Sequence, residues 1–249
     1  MTMKRYLLAM LVCASWAFVT EKIDQGVITY TTKVNMHKRL SSEQEEMKKM
    51  VPEFTSTQNQ LFFNQSESLF KPLPPDENPF DQVPGADGPR MIRMVLQNET
   101  YLDRDENMIT QLKEFMGKKY IIKQETNRLP WKLEDETRKI QGYICKKAFY
   151  TDENEKEITA WYTEAIRVPI GPENFFGLPG LILEIAINTD DMIITADKID
   201  LRALKKNELK EPKSGQEITD GEYRAMVEEQ MEKMGAQGGQ GGFRMMIRN

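Results

Sequence analysis

Apolar and polar residues alternate over much of the chain, and this period of two is typical of strands that bury one face of a sheet. Residues 26–36 are rich in β-branched side chains, and Ile28, Tyr30, Val34 and Met36 share one face. Similar short runs follow, separated by polar or glycine-containing turns, at residues 61–63, 68–70, 91–96, 100–102, 108–115, 120–123, 131–133, 142–150 and 157–166. No helices alternate with these strands. The pattern therefore predicts a mainly β protein built on a single curved antiparallel sheet or half-barrel.

The most apolar strand is predicted at residues 181–187, and it pairs with residues 192–197 across a polar turn. The sequence Gly177-Leu178-Pro179-Gly180 precedes it. Both glycines are able to take positive φ, and proline fixes φ near −65°, so this stretch predicts a rigid corner. The corner is interpreted as a turn that sets the register of the strand. The alternative is a loop that faces a ligand.

Two helices are predicted outside the strands. A short N-terminal helix follows the first strand, because Ser42 and Glu45 have the spacing of a capping box. A C-terminal helix is predicted from Thr219 to Met234, where Thr219 and Glu222 repeat that spacing. Its apolar stripe consists of Tyr223, Met226, Val227, Met231 and Met234.

The first 17 residues have the features of a signal peptide: Lys4 and Arg5, a short apolar run, and small residues at Ser15 and Ala17. Four segments are therefore predicted: a signal peptide at 1–17, an antiparallel β domain at 18–200 with a proline-rich loop at 71–90, a linker and C-terminal helix at 201–234, and a disordered glycine-rich tail at 235–249. No transmembrane helix is expected in the mature chain, because no other apolar run approaches 18 residues.

Composition narrows the classes of function. Removing Lys4 and Arg5 with the signal peptide leaves 32 basic against 39 acidic side chains, which argues against a nucleic-acid partner. Only Cys145 remains in the mature chain, so no internal disulfide is possible, and a buried thiol is expected.

Catalytic and metal motifs are missing from the sequence. His37 is the single histidine, and no nucleophile elbow, zinc-ligand set or phosphate-binding loop accompanies it. The prediction is a non-enzymatic protein without a cofactor, a metal site or catalytic residues. Two alternatives stay open. The 13 methionines of the mature chain and its many acids suggest metal handling, although packing explains the methionines better. Two converging acids would suggest a carboxylate-based hydrolase.

Aromatic pairs beside the glycine–proline corner provide a candidate binding surface. Trp161 and Tyr162 lie in the middle of the strand predicted at 157–166, and Phe175 and Phe176 precede the corner. Together with Gly177, Pro179 and Gly180 they form the candidate site for a lipid-like ligand or an outer-membrane protein partner. The alternative is that these aromatics are ordinary core residues.

The six residues 177–182 spell GLPGLI, and ordered flanking residues accompany them, including Trp131, Gly142, Cys145 and the Ala160–Thr163 run. Over roughly residues 131–188 the chain resembles the GLPGLI family of bacterial envelope proteins. The resemblance implies an exported, mainly β protein of a Gram-negative envelope, in the periplasm or on the periplasmic face of the outer membrane. It implies no activity that transfers to any residue.

Overall fold

The computed structural model of the protein describes residues 24–40, 45–73 and 98–237. Within these ranges twelve strands form one sheet in the order β12-β6-β5-β4-β3-β2-β1-β11-β10-β9-β8-β7. The strands are β1 (Gly26–Asn35), β2 (Phe54–Phe63), β3 (Glu67–Pro72), β4 (Glu99–Asp103), β5 (Met108–Phe115), β6 (Lys118–Glu125), β7 (Lys132–Ile140), β8 (Tyr143–Thr151), β9 (Glu157–Thr163), β10 (Leu181–Ile187), β11 (Met192–Asp200) and β12 (Gln216–Glu217).

The prediction of a mainly β chain with a single sheet is confirmed, and the sheet is open. Its end strands, β7 and β12, do not pair with each other in the described part of the chain. Neighbouring strands are antiparallel, as predicted, except that β12 runs parallel to β6. β12 is only two residues long and lies in the segment that was predicted to be linker.

The predicted pairing of residues 181–187 with 192–197 is confirmed. β10 and β11 are antiparallel neighbours, with Glu184 opposite Thr195 and Ile187 opposite Met192. Leu181, Leu183 and Ile185 are fully buried. β10 therefore lies inside the sheet and contributes directly to its core.

The C-terminal helix α2 (Asp220–Gln237) is present, and its predicted capping box is formed. The Glu222 amide donates to the Thr219 hydroxyl over 3.2 Å, and the Thr219 amide donates to the Glu222 carboxylate over 2.9 Å. The helix continues three residues past its predicted end at Met234. The capped N-terminal helix is not shown: the described residues there contain a 3-10 turn (His37–Arg39) and one α-helical turn, α1 (Glu45–Lys48), and the proposed cap Ser42 lies outside them.

The sheet is curved, since side chains from β6, near one end of the strand order, and from β8, near the other end, are found to line the same cavity. Its concave face carries the main core, which includes Ile28, Tyr30, Leu61, Ile185 and Ile194. On the convex face a smaller cluster of Val27, Phe62, Leu69 and Tyr101 is covered by Leu204 and Leu209 from the segment after β11. The two faces are therefore buried by different parts of the chain.

Three predicted segments lie wholly or mainly outside the described residues. These are the signal peptide at 1–17, most of the proline-rich loop at 71–90 and most of the tail at 235–249. Lys71 and Pro72 at the start of that loop belong to β3, and Gly235–Gln237 at the start of the tail belong to α2. No helix in the described ranges is long and apolar enough to cross a bilayer.

Candidate functional site

A cavity of about 860 Å³ opens on the concave face of the sheet. Its walls come from β1 to β6, from the strands and turns of β8 to β11, and from the start of α2. This volume lies within the range of about 300–1,000 Å³ that is usual for small-molecule sites. The cavity is therefore large enough for a ligand of several rings.

The cavity lies where the inward-facing rows of the strands change from apolar to polar. On β1 the buried residues Ile28 and Tyr30 are followed on the same face by Thr32, which lines the cavity. On β2 the corresponding change runs from Leu61 to Asn59. Since alternate residues of a strand share a face, these polar side chains occupy positions that elsewhere in the sheet carry the core.

Neutral and charged polar side chains line the cavity in nearly equal numbers, and the charged ones balance. Seven side-chain amides face it, among them Asn59, Gln111, Gln124 and Asn174. Five side chains are basic: Lys38, Arg39, Lys113, Lys156 and Arg224. Five are acidic: Glu99, Asp152, Glu173, Asp191 and Asp220. The lining thus has no net charge, and it suits a neutral polar molecule better than a polyanion or a hydrocarbon chain.

The connection between β9 and β10, residues 164–180 (the β9–β10 loop), folds back onto the concave face. Its apolar residues enter the main core: Ile166, Val168, Ile170, Phe175 and Leu178. Backbone hydrogen bonds fix it to the following strand, from the Leu181 amide to the Ile166 carbonyl over 3.0 Å and from the Ile182 amide to the Ile170 carbonyl over 2.9 Å. The tip of the loop, residues 173–175, is thereby held at the cavity wall.

The two glycines of the GLPG corner are required for different reasons. Gly177 has φ of +89°, as the sequence suggested. Gly180 does not have positive φ, although glycine is able to take it. A Cβ at Gly180 would lie 2.0 Å from the carbonyl oxygen of Thr163 at the end of β9. Gly180 therefore permits a close backbone approach, and Gly177 permits a left-handed backbone.

The residues of the predicted binding surface are not brought together on an open face. Trp161, Tyr162 and Phe175 are buried in the main core, and Phe176 packs against it. Trp161 is also covered by the Arg138 guanidinium, 4.1 Å from the ring centre. Gly177 and Pro179 are exposed, and Gly180 is buried. Of the seven, Phe175 alone lines the cavity.

Glu173 is the unusual side chain at the loop tip. Its backbone has φ of +53°, in the region that side chains other than glycine enter at a cost. Its carboxyl makes no hydrogen bond or ion pair to any residue of the described ranges. Burial raises the pKa of the Glu173 carboxyl above its ordinary value, and the nearby Lys113 ammonium offsets part of the rise. Such a group, desolvated and unpartnered in a cavity, is typical of functional sites.

Lys113 reaches the same cavity from β5, and its side chain is 17% exposed. Burial lowers the pKa of its ammonium, whereas the Asp220 carboxylate opposes that change. Lys113 Nζ lies 3.9 Å from Asp220 and 5.1 Å from the centre of the Tyr223 ring. Asp220 is also paired with Arg224, over 2.7 Å. The first turn of α2 thus positions the lysine.

No three His, Cys, Asp or Glu side chains of the described residues are grouped so that they could hold a metal ion. Cys145 is a buried free thiol, as predicted, and burial raises its pKa to about 11. His37 hydrogen-bonds to the Val51 carbonyl over 2.9 Å.

Sequence reasoning missed Glu173, Lys113 and the amides of the cavity. One local signal was available: the inward row of β2 reads Thr57, Asn59, Leu61, Phe63, so polar residues interrupt a core pattern. No local signal marks Glu173 and Lys113 as neighbours, because they are 60 residues apart in the sequence.

A family model described as "N-glycanase peptide, N-terminal domain" matches residues 93–225, which is 133 of the 249 residues. This range includes the β9–β10 loop, Lys113 and the first turn of α2. No curated protein matches the chain.

Two crystal structures of PNGF-II, in space groups P21 and C2, have a similar fold. Their TM-scores are 0.55 and 0.56, and each is 18% identical to this chain. The matches cover 82% of this chain but only 33% and 32% of PNGF-II, so the chain spans about a third of the length of that protein. An uncharacterized conserved protein from Thermus thermophilus covers 80% of the chain at 9% identity, with a TM-score of 0.40.

Proposed function

Because the chain belongs to the family of the N-glycanase peptide N-terminal domain, we propose that it is a non-catalytic binding domain for a glycan. The concave cavity holds a neutral, polyhydroxylated ligand of a few sugar units. The likeness to PNGF-II supports the fold only, since the identity is low and most of PNGF-II lies outside the match.

The lining of the cavity is the observation that carries the proposal. Sugar hydroxyls both donate and accept hydrogen bonds, and side-chain amides do the same. Asn59, Gln111, Gln124 and Asn174 supply such groups, and the equal numbers of acidic and basic side chains leave no net field for a charged polymer. Phe70, Tyr150 and Phe175 add apolar surface at the cavity wall, where the C–H face of a sugar ring can pack.

A lipid-like ligand is expected from the sequence, whereas the lining of the cavity favours a polar one. A lipid-like molecule would bury the amides and charges of the lining without hydrogen bonds, at a cost of roughly 1–3 kcal/mol for each group. Export, location in a Gram-negative envelope and membership of the GLPGLI family remain part of the proposal as predicted from residues 1–17 and 177–182. Binding of an envelope membrane protein at the GLPG corner, where Pro179 is exposed, is a further role in the proposal.

The test is a binding assay with the purified protein and a panel of trisaccharides: maltotriose, cellotriose, mannotriose and triacetylchitotriose. Trigalacturonic acid serves as the charged control and 1-anilinonaphthalene-8-sulfonate as the apolar control. We expect one or more neutral trisaccharides to bind, to be detected by saturation-transfer NMR and to raise the melting temperature. Gln111→Leu and Gln124→Leu should weaken that binding, whereas Lys123→Met on the opposite face of β6 should leave it unchanged. Selective binding of the apolar control would contradict the proposal.

A carboxylate-based hydrolase is the second candidate, because five acids line the cavity and the pKa of one of them, Glu173, is raised by burial. Chromatography of the same incubations distinguishes the two functions. Shortened oligosaccharides would identify a hydrolase, and intact ones are expected from a binding domain. Metal handling is tested by melting the protein with Cu(I), Ca²⁺ or Zn²⁺, since a ligand of the native state raises its stability.

A further inference from the structure

Two opposite charges in the cavity lack the partners that buried charges usually have. Glu173 has no hydrogen bond or ion pair among the described residues, and the Lys113 ammonium has a long contact of 3.9 Å to Asp220 and lies 5.1 Å from the centre of the Tyr223 ring. Glu173 is half-buried, and a charge that is partly removed from water without a partner is costly, so proteins normally pair or neutralise it. The oxygens of Glu173 are not sealed off, because no buried side-chain polar atom in the described ranges is unpartnered. They therefore face the cavity.

The two groups come from independent elements. Glu173 is carried by the tip of the β9–β10 loop, and Lys113 lies on β5 beneath the first turn of α2. Their charges influence each other, yet they do not approach within the 4.0 Å of an ion pair. A single ligand oxygen that hydrogen-bonds to both side chains would bridge a separation of up to about 5.5 Å between the Glu173 carboxyl and the Lys113 ammonium.

We propose that Glu173 and Lys113 form the specificity-determining subsite of the cavity, in which one hydroxyl group of the ligand donates to the Glu173 carboxyl and accepts from the Lys113 ammonium. This inference rests on the proposed glycan-binding function and assigns residues to it. A hydroxyl is the simplest neutral group that has a donor and an acceptor on one atom. A ligand ammonium would repel Lys113 and Arg224, and a ligand carboxylate would repel Glu173 and Asp220.

The backbone of the loop tip agrees with this role. Glu173 is held at φ of +53°, where glycine would be free of strain. The positive φ belongs to the turn that the Phe175 amide closes by donating to the Pro172 carbonyl over 3.2 Å, whereas the desolvated carboxyl opposes folding and is not explained by stability. Retaining a costly group in a binding cavity is the pattern expected when function and stability conflict.

The experiment compares four proteins: wild type, Glu173→Gln, Lys113→Met and the double variant. The probe is the neutral trisaccharide of the panel that binds wild type most tightly. Each single variant should raise the dissociation constant about tenfold, since one charge-assisted hydrogen bond is lost. Because both residues act on one hydroxyl, the double variant should lose far less than the hundredfold expected for independent contacts.

Matched control variants are Glu164→Gln, on the same loop but exposed and paired with Lys146 over 2.9 Å, and Lys123→Met on β6. Both should bind the trisaccharide like wild type. Monodeoxy derivatives of the trisaccharide identify the hydroxyl. The derivative that lacks it should bind wild type weakly, and Glu173→Gln should not weaken the binding of that derivative further.

Thermal melting without ligand gives a second readout. Glu173→Gln should raise the melting temperature at pH 7.5, because the amide removes a desolvated charge and keeps the shape of the side chain. A lower melting temperature would mean that the protein already satisfies Glu173, and it would overturn the subsite. Trisaccharide binding that neither single variant weakens, or losses that multiply in the double variant, would also overturn it and leave the proposed function intact. No binding to wild type would overturn both.

Discussion

At the scale of single residues, the GLPG corner combines two kinds of constraint. Gly177 is needed for its left-handed backbone, and no heavy atom beyond its own residue and its two chain neighbours lies within 4 Å of the position that a Cβ would take. Gly180 is needed for space, because β9 and β10 approach so closely that the Thr163 carbonyl occupies the place of a Cβ. Glycine is therefore required at position 177 for its backbone torsion and at position 180 because there is no space for a side chain.

Alanine at these two positions should separate the constraints. Gly180→Ala should lower the free energy of unfolding by about 3 kcal/mol, because the backbone must shift to relieve the overlap. Gly177→Ala should cost only about 1 kcal/mol, the usual strain of a left-handed alanine. Urea denaturation followed by circular dichroism measures both. Equal losses would show that the corner opens enough to accept a methyl group at Gly180.

At the scale of an element, α2 is attached to the sheet mainly through one side chain. Tyr223 is 5% exposed and packs edge-on against Phe115 and Tyr120, with ring centres 6.5 and 5.7 Å apart. Met226 and Val227 are only partly buried, and the rest of the helix that the structure describes is mostly exposed. The helix therefore depends on this anchor and on its capping box, and it carries the Asp220 that contacts Lys113.

Tyr223→Ala should detach α2 while the sheet stays folded. Removing a buried aromatic costs about 3 kcal/mol or more, and most of that loss falls on the helix. Hydrogen exchange followed by mass spectrometry should show faster exchange in 220–230, with the amides of β1, β10 and β11 unchanged. Thr219→Ala, which removes only the cap, should cost about 1 kcal/mol and give a smaller increase. Uniformly faster exchange across the sheet would contradict a locally anchored helix.

At the scale of the whole molecule, the segment after β11 closes the convex face. Leu204 and Leu209 cover the cluster of that face, and the Arg202 guanidinium holds Glu208 through two hydrogen bonds of 2.8 Å. Hydrogen bonding to Arg202 lowers the pKa of Glu208 to about 2. The ionised form of Glu208 thus contributes to the stability of the turn that positions both leucines.

This pair predicts a defined pH dependence. A carboxyl with a folded-state pKa below its ordinary value of 4.5 stabilises the protein fully above that value. The contribution is lost as the pH falls from about 4.5 towards about 2. Glu208→Gln should therefore be less stable than wild type by about 0.5–1 kcal/mol at pH 7, a small effect because water screens the pair, and the difference should disappear near pH 2. Glu217→Gln on β12 is the control, and a difference that persists at pH 2 would contradict the assignment.

Several elements were predictable because their information is local. The alternation in β1, β10 and β11, and the Thr219–Glu222 cap, depend on residues that are close in sequence. The full length of β7 was not predicted, because four of the five residues from Glu134 to Arg138 are charged and apolar residues do not alternate with polar ones there. Their charge is explained by the position of β7 at the edge of the sheet, where it discourages pairing with another chain.

The sequence by itself determined a mainly β chain, the pairing of its most apolar strands and a capped C-terminal helix, since each follows from the period of neighbouring side chains. Only the tertiary structure decided that Trp161 and Tyr162 belong to the core and that Thr32, Asn59, Lys113 and Glu173 share a cavity. The physical reason is the curvature of the sheet, which brings together strands that are distant in the sequence. A strand face whose alternating pattern predicts core thereby becomes, in part, the wall of a cavity.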